Sequence, residues 1–142
     1  MGQMISIVCE NPTCRYHVAL RQGTGMRGFS KKMDFRDGIL NGEIENAVAK
    51  SLLEKGAQIR ANGIYLCPHC REFQTNEIYF IADNLEDGPN DEILFDAVFP
   101  FGEPKCSKCQ TEMTLIKDIL SSDVKCPECG GTLKPESIGF FD

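Results

Sequence analysis

The sequence predicts an α+β protein built mostly of short antiparallel strands, with one main helix around residues 42–55. Three observations carry that expectation. Apolar residues come in brief runs bounded by Gly, Pro, Asn and Asp, which is strand punctuation. Only one stretch sustains a helical period. Eight cysteines fall in four close pairs, each of which demands a tight turn.

In chain order, residues 4–8 ("MISIV") read as a strand leading into Cys9. Residues 15–36 hold six Arg/Lys against one Asp, interleaved with Tyr16, His17 and Phe29. They read as a strand, a glycine-rich turn and a solvated basic loop; a phosphate- or nucleic-acid-contacting face is the sharper alternative. From Gly42, "GEIENAVAKSLLEKG" places Ile44, Ala47, Val48, Ser51 and Leu52 on one stripe, with Asn41 as cap and Gly56 as stop. "IYFIA" (78–82) and "ILFDAVF" (93–99) read as a hairpin. The acidic loop between them is no calcium site, because Leu85 and Leu94 stand at ligand positions. "TEMTLIKDIL" (111–120) and "GTLKPESIGFF" (131–141) read as two strands of one small ribbon, with the "SSD" segment turning between them.

The cysteine pairs are Cys9/Cys14, Cys67/Cys70, Cys106/Cys109 and Cys126/Cys129. Three are C-x2-C and the first is C-x4-C, spacings at which two thiolates on one turn reach the same ion. Four pairs make two closed four-cysteine sites with no ligand left over, so two Zn2+ are expected, with iron as the admissible substitute. Sequential pairing joins Cys9/Cys14 to Cys67/Cys70 across residues 15–66, and Cys106/Cys109 to Cys126/Cys129 across residues 110–125. Loop-closure entropy favours this over the crossed arrangement, in which Cys67/Cys70 meet Cys106/Cys109 and the outer pairs meet each other. Sequential pairing divides the chain into an N-terminal module (1–83), a hairpin connector (84–104) and a C-terminal ribbon (105–142).

Through "CSKC" and "CPECGG" the chain resembles zinc-ribbon and rubredoxin-like proteins, and through "CPHC" it resembles bacterial domains named for a C-P-x-C motif. The first resemblance implies metal knuckles and, as one functional expectation, a transcription or nucleic-acid accessory role. Gly130 suits the left-handed position after a knuckle, whereas Arg71 and Gln110 stand where glycine is expected.

"CPHC" also matches a thiol–disulfide oxidoreductase motif. That chemistry needs the motif to open a helix whose N-terminus lowers the thiol pKa. The residues that follow, "REFQTNEIYFIAD", read as strand, so the metal reading is preferred. His17 and His69 are expected on the surface rather than as ligands.

The formal charge is −6, distributed as +2 over residues 1–80 and −8 over residues 81–142. That balance disfavours non-specific nucleic-acid binding and leaves residues 15–36 as the one candidate for it. The first residues show no export signal, and "MGQMIS" fits a myristoylation pattern only by its six letters. No apolar run approaches a membrane span. A reducing, cytoplasmic setting is expected, because eight thiols there are better kept by metal than by disulfides. No catalytic constellation is assembled by the motifs. The expectation is a non-enzymatic zinc-binding adaptor with a protein partner; nucleic-acid binding, then thiol redox or metal handling, are the alternatives.

Overall fold

The computed structural model describes residues 2–76, 78–87, 93–119, 121 and 123–141. Within them the chain runs β1 (Gly2–Cys9), β2 (His17–Gly23), α1 (Met26–Asn41), α2 (Ala47–Glu54), β3 (Gln58–Arg60), β4 (Gly63–Cys67), β5 (Glu72–Asn76), β6 (Phe80–Asp87), β7 (Ile93–Val98), β8 (Thr114–Ile116) and β9 (Leu133–Phe141). The class is α+β: small antiparallel sheets with two helices.

Two of the sheets share one plan. In the order β2-β1-β9, the central strand β1 ends at Cys9 and turns through Cys14 into β2. In the order β5-β4-β8, the central strand β4 ends at Cys67 and turns through Cys70 into β5. The third strand of each follows a second cysteine turn. Leu133 of β9 pairs with Cys9, and Thr114 of β8 pairs with Leu66. The second set lies inside the first along the chain, so the two sheets are nested like brackets. Their facing surfaces meet over Ile5, Ile7, Leu20, Ile64, Phe73 and Ile119. Thr75 Oγ1 accepts the Arg21 N–H at 3.2 Å where β2 and β5 run close.

The third sheet, β3-β6-β7, carries both helices over Ile39, Ala49, Leu53, Ile59 and Ile81. β6 and β7 pair antiparallel as the hairpin reading expects, and its turn, residues 88–92, lies outside the described residues.

Three sequence expectations are corrected. "TEMTLIKDIL" and "GTLKPESIGFF" do not pair with each other. Each is recruited by the strand that ends in its partner cysteines, β4 and β1. Next, the basic stretch is not a loop beyond β2, because α1 occupies residues 26–41. Its sequence hides this: Gly25 offers no side-chain cap, and two interior glycines each cost about 1 kcal/mol in a helix. Packing overrides that cost. Phe35 stacks on Tyr79 at 4.3 Å and meets Phe101 edge-on at 5.0 Å. A Cβ at Gly38 would come within 3.0 Å of Ile44 Cδ1, so the glycine lets the α1–α2 connection lie close.

The third correction concerns the expected helix 42–55, which starts later, at Ala47. Asn46 is its cap, accepting the Ala49 N–H at 3.0 Å and donating to the Pro100 carbonyl at 3.0 Å. Asn41 instead closes α1, followed by Gly42 at φ 88. The buried face is Ala49 and Leu53 with Leu52 half-buried, while Val48 and Ser51 are exposed. Packing against Ile39, Ile59 and Ile81 selects that face.

Tyr65 on β4 is fully buried against Phe99, and its hydroxyl has no hydrogen-bond partner among the described residues. Burial pushes that phenol up to about 12. An unpaired buried hydroxyl is a cost the ring must offset by packing. Tyr65→Phe is therefore expected to leave the protein equally or more stable in denaturant titration. Tyr65→Ala should lose about 3–5 kcal/mol.

Candidate metal centres

Two groups of four sulfurs form, and each is a crossed set. Cys9, Cys14, Cys126 and Cys129 make the outer group; Cys67, Cys70, Cys106 and Cys109 make the inner one. In each group the four Sγ atoms lie within 4.8 Å of one another. All eight cysteines singled out from sequence are used, but the sequential pairing is not. The entropic preference behind it is small, about 1 kcal/mol for the longer loops of the nested arrangement. Strand pairing along β1–β9 and β4–β8, with the core between the sheets, outweighs it.

The sulfur spacings fit a metal. Cys9 Sγ lies 3.4 Å from Cys129 Sγ and Cys14 Sγ 3.8 Å from Cys126 Sγ. In the inner group Cys67–Cys109 is 3.6 Å and Cys70–Cys106 3.8 Å. A tetrahedron with metal–sulfur bonds of about 2.3 Å has edges of about 3.8 Å. Disulfides, at about 2.05 Å, are excluded by the same distances.

Three of the four turns are built identically. The residue after the second cysteine has a left-handed backbone: Arg71 at φ 55, Gln110 at φ 64 and Gly130 at φ 75. Its N–H reaches back to the carbonyl of the first cysteine, at 2.9 Å from Arg71 to Cys67, 2.9 Å from Gln110 to Cys106 and 2.8 Å from Gly130 to Cys126. Arg71 and Gln110 thus take the conformation that glycine was expected to supply, at a cost of roughly 1–2 kcal/mol each. The turns before β8 and β9 also match outside the cysteines, through the bridges Lys105–Glu112 and Lys125–Thr132. The C-x4-C turn is different. Asn11 Oδ1 accepts the Thr13 N–H at 3.1 Å and hydroxyl at 2.9 Å, and the Cys14 N–H donates to the Asn11 carbonyl at 3.0 Å.

Four thiolates around one divalent ion leave a net charge of −2, which nearby donors must temper. The inner group has the fuller set. Cys67 Sγ accepts the Cys70 N–H at 3.3 Å; Cys106 Sγ accepts the Lys108 N–H at 3.4 Å and the Gln74 amide at 3.1 Å. The Thr111 hydroxyl lies 3.1 Å from Cys109 Sγ. The Lys108 ammonium, bound to Glu72 at 2.8 Å, sits over the same turn. Around the outer group the Gly131 N–H donates to Cys129 Sγ at 3.4 Å and the Asn11 amide reaches it at 3.9 Å. A Cβ at Gly131 would stand 3.2 Å from Cys129 Sγ and 3.4 Å from Cys9 Sγ, so this glycine admits the sulfurs. Gln74, Thr111, Asn11 and Gly131 were not singled out from sequence. Thr111 and Gly131 share one signal, their place two residues beyond a knuckle. Gln74 carries none, because only the β4–β5 register brings it to the site.

The histidines are not ligands. His69 Nδ1 lies 4.0 Å from Cys70 Sγ, and His17 bonds Glu136 at 2.9 Å across the exposed face of the outer sheet.

The thiols of each group titrate apart. The Cys109 N–H brings the Cys106 thiol down to about 6 against the opposing effect of burial, whereas the Cys109 thiol and then burial push Cys70 up to about 12. In the outer group the Gly131 N–H and then the Cys9 thiol hold Cys129 down at about 7. Without a cation, raised and lowered thiols thus stand side by side in each group, and a divalent ion would draw the proton from a raised one such as Cys70.

No protein-family model matches the chain, and no curated protein or solved structure matches it either. The functional reading therefore rests on the sites themselves.

The nested pairing makes a direct prediction. Cys9→Ser with Cys14→Ser should lose one metal equivalent and open Cys126 and Cys129 to alkylation, leaving Cys106 and Cys109 protected. Mass mapping of labelled thiols that finds Cys67 and Cys70 opened instead would restore the sequential pairing. The pH sign is also set. Metal uptake at pH 7 must displace protons from high-pKa thiols such as Cys70. Affinity should therefore rise with pH, and calorimetry in buffers of different ionisation enthalpy should register proton release on binding. Cys129 is exposed whereas Cys67 and Cys106 are fully buried, so a chelator should empty the outer group first.

Proposed function

We propose that both groups hold zinc as closed structural sites and that the protein is a non-enzymatic protein-interaction module. The observation that supports this best is that each tetrahedron consumes four thiolates. No ligand position is left for water or substrate, and closed four-cysteine coordination is the structural mode of zinc. Iron fits the same sulfurs in a rubredoxin-like manner, which makes the ion a measurable point. Eight thiols outside disulfides suit a reducing, cytoplasmic setting. Among the described residues no helix is long and apolar enough to cross a membrane.

A protein partner is favoured by the acidic C-terminal half and by β9. That strand lies at a sheet edge, with Ile138 46% and Phe140 68% exposed. Thiol redox catalysis draws less support, because "CPHC" closes the β4–β5 hairpin and opens no helix.

Elemental analysis should find two zinc equivalents per chain. Cys70→Ser should lose one of them and melt early, since the binding energy of such a site, of order 10 kcal/mol, is folding energy. A Cys70→Ser protein that keeps both ions and traps a mixed disulfide through Cys67 would overturn the structural reading in favour of redox chemistry.

A further inference from the structure

A cavity of about 670 Å3 opens where the three sheets and α1 meet, and no cysteine lines it among the described residues. Its volume lies within the range of small-molecule sites, roughly 300–1,000 Å3. Three cations from separate elements converge on it: Lys32 of α1, Arg60 of β3 and Lys117 just beyond β8. No Asp or Glu lines it among the described residues. That is unusual for a chain of charge −6, in which acidic groups are abundant.

Among the described residues the cations lie against aromatic rings rather than counter-charges. The Arg60 guanidinium and the Lys117 ammonium both lie over Phe95, at 5.1 and 5.2 Å from its centroid, and Lys117 also donates to the Phe95 carbonyl. Lys32 lies 5.1 Å from the centroid of Phe29, whose ring lines the cavity and is 50% exposed. Arg60 Nε is buried and has no hydrogen-bond partner among the described residues. Burial, and then the charge of Arg60, lowers the Lys32 pKa, the cost of gathering like charges around an apolar hollow. An anion seated among them would remove that cost and supply the missing acceptor.

A smaller hollow of about 250 Å3 adjoins through Asn62, which lines both. It repeats the same chemistry. Arg21 stands 5.2 Å over the Phe141 ring, Arg27 lines the same hollow, and no carboxylate lines it among the described residues. Asn62 is fixed between the hollows: its side chain donates to the Gly23 carbonyl at 2.9 Å, with its own backbone at φ 58.

We infer that this cleft is a nucleotide-binding site, with phosphate held by Lys32, Arg60 and Lys117 and the base laid against Phe29. Cations gathered beside a half-exposed aromatic ring are the chemistry that takes phosphate and base together. The ligand source is either a free nucleotide or one unit of a single strand whose next phosphate meets Arg21 and Arg27. The inference goes beyond the zinc-module reading and uses none of its residues, so the two fail separately.

The test uses the full, zinc-loaded chain at about 50 mM salt, where phosphate contacts are strongest. A fluorescent adenosine triphosphate analogue and a labelled oligouridylate are titrated by anisotropy, with inorganic phosphate as competitor. Saturable binding that weakens with salt is expected. Lys32→Gln with Lys117→Gln should weaken it about tenfold or more at unchanged zinc content and melting temperature. Lys31→Gln, outside the cleft, should not. Phe29→Ala should weaken the nucleotide but not inorganic phosphate. Much tighter oligouridylate binding assigns the ligand to a strand, and equal affinities assign it to the free nucleotide. No saturable binding of either probe, or unchanged affinity in the Lys32/Lys117 variant, overturns the site. Unchanged affinity in Phe29→Ala overturns its nucleotide class.

Discussion

The structure depends on the last strand returning to the first. β9 lies along β1 from Leu133 opposite Cys9 to Phe141 opposite Gly2, and this pairing carries Cys126 and Cys129 to the thiols at the other end of the chain. The inner sheet repeats the device with β8 and β4. In both, the sulfurs gather where a central strand ends, at the point where an open sheet would otherwise fray. A metal held there would do for a three-stranded sheet what extra apolar area does for a larger domain, because sheets this small cannot bury enough surface to hold themselves. The two sheets then need only one shared interface, over Ile5, Ile7, Ile64 and Phe73, to become a single body.

The two centres share a turn geometry but not an environment. The inner one rests on buried Tyr65 and Met113 and has side-chain donors from β5 and from its own turn. The outer one faces solvent through Cys129 and relies on the bare backbone of Gly131. Where the Thr111 hydroxyl lies 3.1 Å from an inner sulfur, Gly131 gives the outer sulfurs room. One position in the repeat thus sets how well the thiolate charge is shielded and how open it is.

The cysteines, their grouping into fours and the antiparallel strands were legible because ligand spacing and apolar alternation are local signals. What was not legible is which four meet. That depends on strand pairing across more than a hundred residues, whose gain exceeds a loop-entropy difference of about 1 kcal/mol that favours the other answer. Helix α1 escaped for a related reason. Gly28, Gly38 and an uncapped Gly25 argue against a helix locally, and only the stacking of Phe35 on Tyr79 and the tight seat of Gly38 against Ile44 reverse the argument. Arg71 and Gln110 follow the same logic, since the metal turn imposes a backbone that their side chains would not choose. The cationic cleft was half visible. Residues 15–36 supplied Lys32, Arg21 and Arg27, but Arg60 and Lys117 join them only through the meeting of three sheets.

Nesting also orders events during synthesis. The inner set is complete once Cys109 has been made, whereas Cys14 waits 112 residues for Cys126, and Cys9 waits longer for Cys129. At translation rates of about 5–20 residues per second that wait is on the order of ten seconds. Throughout it, the β1–β2 hairpin presents two thiols with no partners and an unpaired strand edge where β9 will lie. The growing chain is therefore exposed to oxidants, stray metal and other strands along β1 and β2, and that exposure ends only when β9 arrives.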